Sequence, residues 1–448
     1  MDRILLKDAT IINEGDSFTG SVLINNGFIE DIYRGSVTDE IMDSSSVIDV
    51  SEKVLMPGII DDHVHFRDPG LTYKADIFSE SGAAVAGGIT SFMEMPNTIP
   101  EVTTKTRLED KFSIASERSL ANYSFYIGAT NDNLKEILSL DPKEVCGIKA
   151  FLGSSTGNII INDLDSRKDL FLNANMLISA HCEDDGIIQD NLRQVKTKFG
   201  KNIPPEYHPV IRSEEACYRS SSMAVDLATK CNTRLHIAHI STARELGLLE
   251  KDSIPQKKRI TSEACIHHLW FDENDYGKYG NRIKWNPAVK GEHDREGLLQ
   301  GINDNAIDLI ATDHAPHTAE EKGATYLKCP SGGPMVQHSL VAMLELYHRK
   351  KISLEKIVDK MCHAPAAIFN IDKRGFIRKG YHADIVITDI NAKLKVQKDN
   401  LLYKCAWSPF EGIEFNSKVI YTFVNGNLVY DNGRLIRSEK GKKLLFNR

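Results

Sequence analysis

Residues 54–70 read VLMPGIIDDHVHFRDPG. An apolar run closes on two imidazoles, His63 and His65, with Arg67 two residues further on. In a strand, residues i and i+2 point to the same face. Both rings and the guanidinium would therefore project together, so long as the strand continues that far. Two imidazoles aimed one way suit a metal ion, and a cation beside them suits an anionic ligand.

Seven more strand-like runs follow: GITSFMEMPN, NYSFYIGAT, CGIKAF, NMLISAHCE, RLHIAHIS, RITSEACIHH and AIDLIATDHAPH. Helix-compatible stretches such as SEEACYRSSSMAVDLATKC and GPMVQHSLVAMLELYHRKK lie between them. Eight alternations across residues 54–377 predict an α/β fold, a (β/α)8 barrel with insertions. A doubly wound open sheet is the competing fold, since alternation alone does not close a barrel. Residues 1–53 and 378–448 read instead as short strands with turns, including a hairpin signal at Asn425-Gly426. Both ends are expected to build one small β-sandwich domain beside the barrel.

The chain of 448 residues is 41% apolar, enough to bury a sizeable core. Its 55 basic and 62 acidic residues leave a formal charge of −7, and no long basic run supports nucleic-acid binding. No apolar stretch approaches the roughly 18 residues of a membrane span, and the first residues lack the pattern of a signal peptide. Eight scattered cysteines without a C-x-x-C pair read as reduced, mostly buried thiols in a cytoplasmic protein.

In a barrel, the C-terminal strand ends share one rim. Run one closes with His63 and His65, run two with Asn97, run five with His181, run six with His239, and run eight with Asp313, His314 and His317; run four carries Lys149. Four histidines and an aspartate on one rim make a metal set that suits zinc, with manganese, cobalt or iron as alternatives. Taken singly, a histidine such as His181 or His239 is more often a hydrogen-bonded structural residue; the joint pattern carries the inference. Lys149 has two readings. It forms a salt bridge, or, buried and neutral, it reacts with carbon dioxide to give a carbamate whose two oxygens can bridge two cations.

His63-Val-His65, Lys149, His181, His239 and Asp313 resemble the metal set of the amidohydrolase superfamily. HVHFRDPG, MEMPNT, GIKAFLGSSTGN, IKWNPAVK and TDHAPH together resemble class I dihydroorotases. The resemblance implies a distorted TIM barrel with a binuclear centre, usually zinc. It also implies reversible interconversion of L-dihydroorotate and N-carbamoyl-L-aspartate in pyrimidine synthesis. By position, His63, His65 and Asp313 would hold one ion, His181 and His239 the other, and carboxylated Lys149 would bridge them. Many class I members carry a bridging aspartate in a Phe-Thr-Asp-Asp-Gly stretch; residues 151–155 here are FLGSS, without a carboxylate, so the bridge falls to Lys149.

Asp313 would then serve as general base and acid, and Arg67, Asn97, Asn286 and His317 would contact a substrate carboxylate or ring. The plainer readings are that Arg67 pairs with Asp68 or Asp62 and that Asn97 and Asn286 are turn residues. His236 has the wrong parity to join His239, His268 could orient a ligand, and residues 317–334 are either a mobile lid or a surface loop. Two rival functions remain. One is another cyclic amidohydrolase, a hydantoinase (dihydropyrimidinase) or allantoinase, against which Arg67 argues. The other is a catalytically silent scaffold for a partner such as aspartate carbamoyltransferase, against which the complete ligand set argues. A homodimer is a family-level expectation.

Overall fold

The computed structural model describes residues 3–153, 159–437 and 439–448. Residues 154–158, the later part of the GIKAFLGSSTGN segment and the two serines of the FLGSS stretch, lie outside the described residues.

All eight expected runs contain a strand: β1 Ile59–Val64, β2 Ile89–Glu94, β3 Asn122–Phe125 continuing as Ile127–Gly128, β4 Ile148–Phe151, β5 Ile178–His181, β6 Leu235–Ile237, β7 Ile260–Cys265 and β8 Leu309–Ala311. Each pairs in parallel with the next. Beyond β8, a parallel bridge joins His314 to Val64, and His65 N–H donates to the His314 carbonyl at 2.7 Å. The first and last strands therefore meet, an arrangement consistent with a barrel. Every residue of β1 and β2 is buried. Strands covered on both faces read as unbroken apolar runs, not as alternating ones.

Side-chain caps set where the intervening helices begin. Asp76 accepts Ser79 N–H at 2.8 Å ahead of Ile77–Ala86, and Asp184 accepts Ile187 N–H at 3.0 Å ahead of Asp185–Phe199. Each such cap contributes about 1 kcal/mol.

The VLMP half of the first run does not enter the ring. Val54–Pro57 is a strand of a separate nine-stranded sheet, paired in parallel with Ile4–Asn13 and antiparallel with Ile385–Asp389. The other members are Asp16–Asn25, Phe28–Arg34, Ser46–Asp49, Lys418–Val424, Asn427–Asp431 and Arg434–Leu435. An apolar cluster that includes Leu6, Ile11, Val22, Leu55, Ile385 and Phe423 covers this sheet. Gly58 alone separates it from β1: its N–H donates to Asp384 O at 2.8 Å, and a Cβ there would lie 2.1 Å from Thr90 Oγ1. Only glycine lets the chain pass that closely.

Seven of the eight cysteines are buried and all are free. Among the described residues, no helix is long and apolar enough to cross a membrane.

Candidate metal centre

Nine of the ten residues singled out above line one cavity at the C-terminal ends of the strands: His63, His65, Arg67, Asn97, Lys149, His181, His239, Asn286 and Asp313. Three of them hold left-handed backbone, Arg67 at φ +69°, His239 at +39° and Asp313 at +44°. Non-glycine residues in such conformations cost roughly 1–3 kcal/mol each and gather where a site constrains them.

His63 and His65 are aimed by their unused nitrogens. His63 Nδ1–H donates to Glu263 Oε1, and His65 Nδ1–H donates to Asn97 Oδ1 at 2.7 Å. Those bonds leave both Nε2 atoms bare, and both face Asp313 Oδ1, at 3.5 Å from His63 and 3.1 Å from His65. One ligand atom from each of His63, His65 and Asp313 falls within 4.8 Å of the others. A second pair closes from across the cavity, with His181 Nδ1 2.9 Å from His239 Nε2. The remaining His181 nitrogen, Nε2, lies 3.1 Å from Glu183 Oε2, a carboxylate locked in turn by Arg212. Imidazoles tied on one side to a carboxylate or amide oxygen and bare on the other are how metal-ligating histidines are oriented.

Charge agrees with that use. Burial holds all four imidazoles below their ordinary pKa, so they are neutral and able to ligate. Burial pushes the Asp313 carboxyl up, against the opposing pull of His63 and Lys149. Lys149 is 1% exposed, burial pushes its pKa down, and its Nζ has no hydrogen-bond partner among the described residues. A buried, partnerless amine among neutral histidines is the expected precursor of a carbamate, and the nitrogen–oxygen donor set suits zinc.

Arg67 is 7% exposed and pairs with no carboxylate within ion-pair reach among the described residues. Asp68 pairs with Arg118 and Asp62 lies against His236, so the plainer reading of Arg67 is not what forms. Its Nε–H donates to Pro316 O at 3.1 Å, its Nη2 lies 3.1 Å from His317 Nε2, and the residue lines the cavity. His317 is the one predicted residue absent from the cavity wall. It stands behind Arg67, with both ring nitrogens taken up by Lys74 and Ser331 O. Ser331 and Gly332 line the cavity there instead.

Residues 317–334 are fastened at several points. Lys322 Nζ donates to Lys284 O and Pro330 O, Gly332 N–H to Lys284 O, and Tyr326 OH meets His208 Nδ1 at 2.8 Å. His268 donates to Pro287 O at 3.1 Å and so braces the Asn286-Pro287 turn; it orients no histidine. The residue that does so is Glu263. Its Oε1 takes the His63 ring and accepts the His239 backbone N–H at 3.0 Å, while Oε2 lies 3.1 Å from His236 Nε2. The available signal was a lone acid in the otherwise uncharged middle of RITSEACIHH; Glu183, two residues past His181, is a similar case.

Residues 168–429 match the amidohydrolase family, and residues 52–245 match the dihydro-orotase-like family. A dihydroorotase of Methanosphaera stadtmanae is 32% identical over 431 residues, covering 96% of each chain. A dihydroorotase of Clostridioides difficile is 31% identical over 412 residues, 89% of this chain and 93% of that one. Among solved structures, the L-hydantoinase (dihydropyrimidinase) of Arthrobacter aurescens superposes with a TM-score of 0.88 at 25% identity, over 98% of both chains. Histidines that converge from separate strands, a buried lysine among them and nearly full-length similarity agree: the chain belongs to the amidohydrolase family, in its dihydroorotase branch.

Proposed function

We propose that the protein is a dihydroorotase, a cyclic amide hydrolase that interconverts L-dihydroorotate and N-carbamoyl-L-aspartate in pyrimidine synthesis. The observation that carries the substrate is Arg67. A buried guanidinium at a cavity wall with no carboxylate partner costs several kcal/mol unless an anion meets it. The dihydroorotate carboxylate would do so by accepting two parallel hydrogen bonds from the planar fork. Asn97 and Asn286 share that wall, and Asn286 Oδ1 is buried without a partner among the described residues, ready for a ring N–H.

His63, His65 and Asp313 would hold one zinc ion, His181 and His239 a second, and Lys149, as a carbamate, would bridge them. The amine reaches that state by adding to carbon dioxide through its nitrogen and releasing one proton. Two divalent ions bound there supply Lewis acidity and lower the pKa of water toward neutrality. Asp313 takes the proton from water as its oxygen adds to the ring amide carbonyl. The ring C–N bond then breaks, and Asp313 returns the proton to the leaving nitrogen. Its burial suits this cycle, because a carboxyl pushed upward in pKa holds a proton more readily near neutral pH. Arg67 keeps the substrate carboxylate fixed throughout, and in the reverse direction the same groups close the ring.

We assign residues 58–377 to the catalytic barrel, and residues 1–57 with 378–448 to a composite β-sandwich domain, since Val54–Pro57 pairs within the nine-stranded sheet and not within the ring. The working form is a cytoplasmic homodimer without nucleic-acid or membrane partners. The structural likeness to a hydantoinase favours a second reading, a ring substrate lacking the carboxylate. Purified, zinc-loaded protein assayed spectrophotometrically with dihydroorotate, dihydrouracil and allantoin separates the two. Turnover of dihydrouracil or allantoin but not dihydroorotate would reject the dihydroorotase assignment.

A further inference from the structure

The chain has three tryptophans, and two of them stand behind the site. Trp285 is fully buried, forms part of the cavity wall and donates its indole Nε1–H to the Asp313 carbonyl at 3.1 Å. Trp407 donates its indole N–H to the His317 carbonyl at 2.7 Å. The two rings meet at Gly333, where a Cβ would lie 2.7 Å from Trp285 Cη2 and 3.0 Å from Trp407 Cη2. Trp285 also stacks on His267, with centroids 4.5 Å apart and planes inclined by 14°.

Asp313 needs a hold of this kind. Its φ of +44° is unfavourable for a residue with a Cβ, so the conformation must be imposed by neighbours. The next residue is gripped already: His314 O accepts His65 N–H at 2.7 Å, and His314 N–H donates to Thr312 Oγ1 at 3.1 Å. Trp285 grips the Asp313 carbonyl itself. Its ring cannot slide away, because His267 covers one face and the Gly333 backbone meets its far edge.

We infer that Trp285 is a positioning residue whose indole N–H, seated between His267 and Gly333, sets the direction of the Asp313 carboxylate. The inference rests on the role given to Asp313 above. It also ties that carboxylate to residues 317–334, since Gly333 closes the same segment that supplies Ser331 and Gly332 to the cavity.

Two variants test it in the zinc-loaded protein. Trp285→Phe keeps a ring and loses the N–H; Gly333→Ala keeps the N–H and crowds the ring. Each should lower kcat for dihydroorotate about tenfold, with KM changed less than about twofold and bound zinc per chain unchanged. The acid limb of the kcat–pH profile should move in both, which loss of packing alone would not cause. Wild-type kcat in Trp285→Phe, or a fall in kcat matched by a fall in bound zinc, would overturn the inference. Should either variant fail to fold, the wild type answers alone. With 15N-labelled tryptophan, the Trp285 indole proton should exchange slowly, and rapid exchange would reject the bond. That signal needs no substrate, so a wild type inactive on dihydroorotate would count against the proposed function and not against Trp285.

Discussion

Arg67 Nη2 lies 3.1 Å from His317 Nε2, a contact whose hydrogen bond depends on which ring nitrogen carries the proton. The same Nε2 is 3.0 Å from the Ser331 carbonyl, while Nδ1 is 2.9 Å from Lys74 Nζ. One neutral tautomer satisfies both, with Nε2–H donating to Ser331 O and bare Nδ1 accepting from Lys74. Burial first, then the Arg67 and Lys74 charges, push the His317 pKa down and keep it neutral. In that tautomer the imidazole is a spacer between two cations, and the guanidinium keeps the donors not given to Pro316 O for something else.

If that something is the substrate carboxylate, Arg67→Met should raise KM for dihydroorotate about 100-fold, the loss of one charge-assisted paired contact. Arg67→Lys should recover only part of it, because an ammonium lacks the planar fork. Steady-state kinetics on both variants check this; unchanged KM in Arg67→Met would remove the residue from the binding site.

Glu263 holds the His63 ring and the His239 backbone from one carboxylate. Glu263→Gln preserves shape but not charge. It should weaken zinc binding about 10- to 100-fold, as loss of such outer partners does. Competition with a coloured chelator measures it, and wild-type affinity would show that packing alone aims the two histidines.

Lys149→Met removes the only group proposed to bridge the ions. Bound zinc per chain should fall, and turnover should be lost. In the wild type, 13C-bicarbonate should give a carbamate signal in the 13C spectrum that Lys149→Met lacks. Two zinc ions retained in the variant would assign the bridge elsewhere.

Lys322 offers a stability test away from the ions. It is 4% exposed, its Nζ donates only to backbone carbonyls, and burial pushes its pKa down to about 7. Between there and the ordinary lysine value of 10.5, the unfolded chain binds more protons than the folded one, so this lysine makes stability rise with pH. Below about 7 both states are protonated, the slope vanishes and the burial cost of the charged form is fully present. One such group adds at most about 1.4 kcal/mol per pH unit. The Tm advantage of wild type over Lys322→Met should therefore grow from pH 7 to pH 9, and parallel melting curves would refute this.

The strand set was readable because the barrel strands are buried and so read as apolar runs, with a polar residue at or just past the end of several, as in NMLISAHCE at His181. Most of the candidate ligands were readable because they close or follow their runs, while Lys149 stood out as the one charge inside its own. The split at Gly58 was not, because VLMPGII is equally apolar on both sides and only pairing partners distinguish its halves. Glu263 was hidden by distance, as its target His63 lies across the ring and far off in sequence. His317, expected as a substrate contact, is not on the cavity wall, because the chain past β8 runs on through Ala315 and Pro316 and sets the ring behind Arg67.

Gly58 leaves no slack between Val54–Pro57 and β1, and that short strand lies between one neighbour near the start of the chain and another, Ile385–Asp389, made only after every barrel strand. During synthesis the N-terminal strands must wait, one flank bare, until the ribosome has delivered the whole catalytic portion. A nascent chain halted before residue 385 therefore carries an open sheet edge directly upstream of the histidines proposed to hold metal, and a chaperone that shields such edges would find its target there.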